Sequence, residues 1–196
     1  MPLGFKGRPR KSVSEAIRIA NDAGVLVFAA PSNWGNMWDL AFPGYLYTTN
    51  EVLCMFATRP NCKPDDEFNP VAIHSGYNFA ILGKDVKVPG MDGLQKGTSI
   101  ATVIGAAFAA RIIDFSMHPD CRGKIDEANS LRTVEGMSAV FGETAILDLK
   151  YDCMRPWILM PEEGQRDMDR KAKRQYICET ISRALKNRYK GVNRRQ

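Results

Sequence analysis

Gly97-Thr98-Ser99-Ile100-Ala101-Thr102 opens the least charged stretch of this chain. From Thr98 to about Phe115, small residues at Ala101, Gly105, Ala106, Ala109 and Ala110 alternate with Ile100, Ile104, Phe108, Ile112 and Ile113. This spacing predicts a helix that is apolar all round and therefore buried. A serine at the start of such a helix meets backbone N–H groups without intrahelical acceptors and the positive end of the helix dipole, both of which favour developing negative charge. The same triplet also serves as an ordinary cap, since Ser and Thr oxygens accept from first-turn N–H groups. Which use applies depends on what the rest of the chain provides.

A serine needs a base to become a nucleophile near neutral pH. The two histidines are His74 and His118. His118, in Met117-His118-Pro119-Asp120, follows the apolar helix and reads as a helix-end turn residue. His74, between Phe68-Asn69-Pro70 and Asn78-Phe79, reads as a loop residue. Lys96, three residues before Ser99, raises the thought of a Ser-Lys dyad. A lysine just before a cap points to solvent, however, and nothing around it signals the burial that lowers a lysine pKa. Cys54, Cys62, Cys121, Cys153 and Cys178 contain no C-x-x-C pair, and their odd number argues against a complete disulfide framework and for reduced thiols. Neither metal-ligand spacing nor a phosphate-binding glycine loop occurs, so no metal or cofactor is expected.

The elements that must position these residues follow a regular cadence. Ser12 or Ser14 can cap a helix that runs to about Ala23 and stops at Gly24. Val25 to Ala30 then forms a short unbroken apolar run, and Glu51 to Thr58 a second, each suited to a strand buried on both faces. Helix followed by buried strand is the rhythm of a parallel α/β fold, and in such folds the loops beyond the carboxyl ends of strands carry the chemistry. Pro31 to Asn50 and Arg59 to Pro70 are those loops here. Asn78 to Leu82 and Asp85 to Val88 read as two more strands around Gly83, as a hairpin or a bulged pair. Leu131 to Phe141 reads as a surface helix, Tyr151 to Met160 as an extended segment, and Arg166 to Tyr189 as an amphipathic helix with Tyr176, Ile177, Ile181, Ala184 and Leu185 on one face.

At 196 residues, 44% hydrophobic, the chain suits one globular domain with an appendage. From Pro161 onward eleven Lys and Arg face five Asp and Glu, a net +6 against +5 for the whole chain, so the basicity belongs to the tail. Mixed charge and few aromatics there argue for a solvated helix over a nucleic-acid surface. No run of 18 to 20 apolar residues is expected to span a membrane, and the basic, glycine-rich start lacks the apolar centre of a signal peptide, which points to the cytoplasm.

Residue for residue, Gly97 to Thr102 resembles the subtilase signature G-T-S-M-A-T-P, with Ile100 for Met and Val103 for Pro. Val27-Phe28-Ala29-Ala30-Pro31-Ser32-Asn33 is similar to the V-x-A-A-A-G-N of the same family, and Met1-Pro2-Leu3-Gly4 to its M-S-L-G segment. Ala41-Phe42-Pro43-Gly44 and the strand ending Ala57-Thr58 match A-x-P-A and V-x-A-T, so the likeness covers about residues 1–114. It is nearest to intracellular fungal subtilases, with F-A-A-x-S-N, F-N-P and a P-W-x-L such as Pro156-Trp157-Ile158-Leu159. The resemblance implies an α/β, partial subtilisin-like three-layer fold: a parallel sheet flanked by helices, lacking its N-terminal strands. Residues 1–160 would form the C-terminal part of the peptidase domain, and 161–196 a basic helix or tail.

The family further implies a serine endopeptidase working by acyl transfer, with Ser99 as nucleophile and Asn33 in the oxyanion hole. Leu3 and Gly4 on one side, and Ala29, Ala30 and Pro31 on the other, would flank the substrate. Subtilases order their triad Asp, His, Ser along the chain, with the first two upstream of M-S-L-G. The expectation is therefore a fragment lacking Asp and His, inactive alone and completed by an N-terminal half, acting on a peptide or protein substrate. The alternative is an inactive pseudopeptidase that binds a partner through its cleft or basic tail.

Overall fold

The structure is a computed structural model that describes residues 4–5, 10–35, 39–73, 76–160 and 169–188. In chain order its strands are β1 (Phe28–Ala29), β2 (Leu53–Cys54), β3 (Phe56–Thr58), β4 (Phe79–Leu82), β5 (Val86–Lys87), β6 (Leu94–Gln95), β7 (Ala145–Asp148) and β8 (Tyr151–Met154). The helices are α1 (Lys11–Asp22), α2 (Thr98–Met117), α3 (Val134–Glu143) and α4 (Arg170–Lys186).

β2 and β3 are two halves of one extended run, and its alternation explains the sheet. Leu53, Met55 and Ala57 enter the larger core on one face, while Cys54 and Phe56 enter a second core on the other. A strand buried on both sides has no place for polar alternation, which is why the segment is continuously apolar. β1 pairs parallel with β2; β3, β4 and β8 then run parallel, and β7 closes the edge antiparallel to β8. Ile17 of α1 and the 3-10 turn Gly44–Thr49, through Leu46 and Tyr47, cover one face. α2, α3 and α4 cover the other, giving the expected three layers.

Several local expectations change. Val13 and Ser14 both donate to the Arg10 carbonyl, so α1 begins at Lys11 and encloses Ser12 and Ser14, with no side-chain cap. Gly24, at φ 70°, ends it as expected. β4 forms no hairpin with β5; it lies in the centre of the sheet, and β5 pairs antiparallel with β6 instead. Phe79, Ala80 and Ile81 are buried, so β4 takes its neighbours from distant strands on both sides, a demand that no local pattern announces. α3 is no surface helix: Phe141 stacks on Phe108 at 5.5 Å and meets Phe79 edge-on at 5.4 Å. β7, in a stretch where no element was expected, supplies the antiparallel edge, and β8 passes into the 3-10 turn Pro156–Ile158.

α2 also departs from expectation. Its buried face is Ala101, Gly105, Phe108, Ala109 and Ile112, whereas Val103 on the opposite face is 55% exposed. Contrary to the reading that no segment is long and apolar enough to cross a membrane, these 20 residues are so by length and composition, an 18-residue window among them reaching a mean hydropathy of 1.6. Gly105 marks its closest approach to the sheet, for a Cβ there would come within 2.6 Å of the Met55 methyl. That contact offsets the helix propensity of about 1 kcal/mol that glycine forfeits relative to alanine.

The basic C-terminal region packs as a helix against this core. Ile177, Cys178, Ile181, Ala184 and Leu185 of α4 are buried there, and Asp169 caps its start by accepting from Ala172 N–H at 2.7 Å. Arg174 pairs with Asp120, Lys186 with Asp126 at 2.7 Å, and Arg188 with Glu127.

Candidate active site

The first turn of α2 is placed by two glycines. Gly97 donates its N–H to the Gly83 carbonyl at 2.7 Å, which ties the helix start to the carboxyl end of β4. A Cβ on Gly83 would stand 2.7 Å from Ala57 Cβ and 3.0 Å from the Gly97 carbonyl, so no larger residue permits this approach. Gly97 itself sits at φ 123°, a conformation that side chains disfavour, and a Cβ there would lie 3.0 Å from both Nδ2 and Oδ1 of Asn33.

Asn33 is thus held directly against the helix start. Thr98 N–H donates to Asn33 Oδ1 at 2.7 Å, and Thr98 Oγ1 shares its proton between that oxygen, at 2.9 Å, and the Ser32 carbonyl, at 2.8 Å. A backbone N–H can only donate, so the oxygen of the carboxamide must face Thr98, and the Nδ2 donors are directed away from it. Asn33 is exposed, Thr98 is fully buried and Ser99 is half-buried. The arrangement is therefore a rigid buried anchor beneath an accessible amide donor and an accessible hydroxyl at a helix N-terminus. Chemically it can stabilise negative charge on an oxygen bound beside Ser99.

Gly4, Ala29, Ala30 and Pro31 come together at one place, while Leu3 lies outside the described residues. Phe5 and Phe42 exchange backbone hydrogen bonds of 2.8 and 3.1 Å, which brings the Gly4 segment against the loop after β1. Ala41 N–H donates to the Pro31 carbonyl at 2.6 Å, and Gly44 packs on Ala30 so closely that a Cβ would meet its carbonyl at 2.6 Å. Ala41 and Gly44 thus join the residues expected to flank a substrate, which motif matching alone did not assign.

The remaining titratable candidates fall elsewhere. His118 is the residue after α2 and is exposed; its Nδ1 accepts from Asp120 N–H at 3.2 Å. Ser99 and His118 are separated by the length of α2, about 28 Å at the helical rise. His74 lies outside the described residues. Lys96 Nζ donates to Glu67 at 3.3 Å and stands 5.4 Å from the Phe68 ring centre, so it is engaged by the neighbouring loop and not by Ser99. Hydrogen bonds from Lys84 first and Lys96 second hold the Glu67 carboxyl below the usual carboxylate range. This loop also props the Asn33 segment, since Gly35 N–H donates to the Phe68 carbonyl at 3.2 Å. The sequence offers Ser99 and Asn33 as candidates and gives no role to Thr98, which links them; the signal was present, because Thr98 is the one polar residue at a fully buried position of that first turn.

Comparison with known proteins agrees with this architecture. A curated relative, the subtilisin-like protease het-Q2 of Podospora anserina, is 24% identical over 163 residues, covering 75% of this chain and 42% of its own length. Among solved structures, the prenylagaramide maturation protease PagA superposes with a TM-score of 0.60 at 19% identity, over 94% of this chain and 60% of PagA. The patellamide maturation protease PatA superposes with a TM-score of 0.58 at 20% identity, over 97% of this chain and 62% of PatA. The chain thus spans less than two thirds of each of these proteins. No family profile matches it.

Proposed function

Starting from a chain that has the subtilisin-like fold and resembles a subtilisin-like protease in sequence, we propose that it carries the nucleophile-bearing part of a serine endopeptidase. Ser99 Oγ attacks the scissile carbonyl carbon and its proton passes to a general base. The carbonyl electrons move onto oxygen, and the resulting oxyanion is held by Asn33 Nδ2 and the Ser99 backbone N–H. Collapse of that intermediate expels the amine, which takes up the proton, and water then hydrolyses the ester. The substrate is a peptide or protein segment laid between Gly4 and Ala29 to Pro31.

The bond from Thr98 N–H to Asn33 Oδ1 carries this reading, because it fixes an amide donor at the helix end where Ser99 stands. Among the described residues no imidazole lies at that end, His118 being at the other. We assign the Asp and His of the triad to a complementing segment, as their order in the family implies, and without them the serine is a slow nucleophile.

The test uses the full chain and a fluorophosphonate, with and without free imidazole as a soluble base. Labelling should occur on Ser99, accelerate with imidazole and vanish in Ser99→Ala. Labelling that survives in Ser99→Ala, or no labelling under either condition, overturns the proposal.

A further inference from the structure

At the end of α2 remote from Ser99, we infer that Cys121 and Cys178 form a thiol-modification site, where a carboxylate-bearing small disulfide of the oxidised-glutathione class converts the two thiols to one disulfide. The register of α4 against the segment after α2 carries the inference. Residues 174, 178, 182 and 186 follow one another turn by turn along one face of α4. On that face Arg174 pairs with Asp120, Ser182 Oγ accepts from Asp126 N–H at 3.0 Å, and Lys186 pairs with Asp126 at 2.7 Å. Cys178 stands between the first two of these contacts, and Cys121 adjoins Asp120 in the chain, so the two cysteines are opposed. Both are buried free thiols of the larger core, whereas Cys54 and Cys153 belong to the second core. Cys121 is held in place by its backbone: its N–H donates to the His118 carbonyl at 2.8 Å, and its carbonyl accepts from Lys124 N–H at 2.9 Å.

A cavity of about 680 Å³ reaches Cys178 from solvent, within the size range that small ligands occupy, and three cations line it: Lys124, Lys171 and Arg174. Its carboxylates are already engaged, Asp120 by Arg174 and Glu179 by the Gln175 amide at 2.8 Å. Lys124 and Lys171 remain to receive the carboxylates of an entering molecule. The Cys178 thiolate attacks one sulfur of the small disulfide, giving a mixed disulfide and expelling one small thiolate. The Cys121 thiolate then attacks the Cys178 sulfur, forming the Cys121–Cys178 bond and expelling the second. Two electrons pass from the protein to the small disulfide, and the two cysteine protons end on the released thiols. Burial first, and Cys121 second, push the Cys178 thiol up to about 11, so the exchange is slow and requires sustained exposure. The new bond adds a covalent staple between α4 and the segment after α2, which exposed, salt-screened ion pairs otherwise join.

The test holds the full chain, fully reduced, under oxidised glutathione at mildly alkaline pH, blocks the remaining thiols and reads unreduced tryptic peptides by mass spectrometry. In the unaltered chain the peptides carrying Cys121 and Cys178 should appear joined, and the urea midpoint should rise on oxidation and return with dithiothreitol. In Cys121→Ser the exchange should stop with glutathione attached to Cys178. Lys124→Glu combined with Lys171→Glu should slow oxidation by glutathione disulfide severalfold relative to cystamine, a cationic disulfide. Joining of either cysteine to Cys54, Cys62 or Cys153 instead overturns the inference, as does a chain that keeps both thiols after prolonged exposure. A bond that leaves the urea midpoint unchanged or lowered overturns the staple, and a rate ratio unmoved by the lysine substitutions overturns the cavity as the point of entry.

Discussion

The two ends of α2 each present a residue capable of proton or acyl chemistry, and their surroundings differ in kind. At the start, Ser99 follows a buried threonine locked to Asn33, with Gly97 and Gly83 closing the backbone around it. At the end, His118 lies in solvent, 3.9 Å from Asp120, which is itself paired with Arg174. The first environment consists of fixed dipoles with no mobile charge among them, so its orientation survives without reorganisation when charge develops. The second consists of exposed ion pairs, which contribute little and are screened by salt. A polar residue at a helix terminus is therefore informative only through what immobilises it.

Substitution at Asn33 should break this contrast most severely. Asn33→Ala removes the amide donor, and labelling of Ser99 by a fluorophosphonate should fall by about 10²–10³, the loss known for the oxyanion asparagine of subtilisin. The circular dichroism spectrum should be unchanged, since Asn33 is exposed. Next in size is Gly97→Ala. It forces a Cβ into a φ of 123° and against the Asn33 carboxamide, at a cost of about 1–3 kcal/mol in urea unfolding, with slower labelling as the carboxamide is displaced.

Alkali should act on two buried thiols. Burial first, and neighbouring Cys121 second, push the Cys178 thiol up from 9.0 to about 11. Burial, followed by Asp148 and Asp152, pushes Cys153 to about 12. Both groups hold their protons more tightly folded than unfolded, so their contribution is complete below pH 9 and is lost as the pH rises toward these values. Urea midpoints should decline above about pH 9, and Cys178→Ala should flatten that decline. The smallest effect is expected at His118: His118→Ala should change stability by no more than about 0.5 kcal/mol and leave labelling of Ser99 unaltered. A large loss of labelling there would show that the two ends are coupled.

Much of the site was legible because its chemistry is local. Gly97, Thr98 and Ser99 adjoin in sequence, Asn33 follows the apolar run of β1 by a few residues, and Gly24 ends α1 with the backbone that only glycine adopts easily. The unbroken apolar run from Val52 to Ala57 announced a strand covered on both faces. What stayed hidden was every relation that depends on distant partners. Phe141 reads as an ordinary apolar residue near the end of a short helix, yet three aromatic rings converge on it. β5 could equally have turned back on β4; only the insertion of β4 between β3 and β8 excludes it.

By itself, then, the sequence determined which residues are capable of chemistry and which segments must be buried, because side-chain type and periodicity express those properties within a few residues. Tertiary structure alone decided that Asn33 meets Thr98 across 65 positions, that His118 is removed from Ser99 by the length of a helix, and that Ala41 packs closely on Gly4. Each of these is a distance between segments remote in the chain, set by sheet order and close packing, and no local preference encodes it.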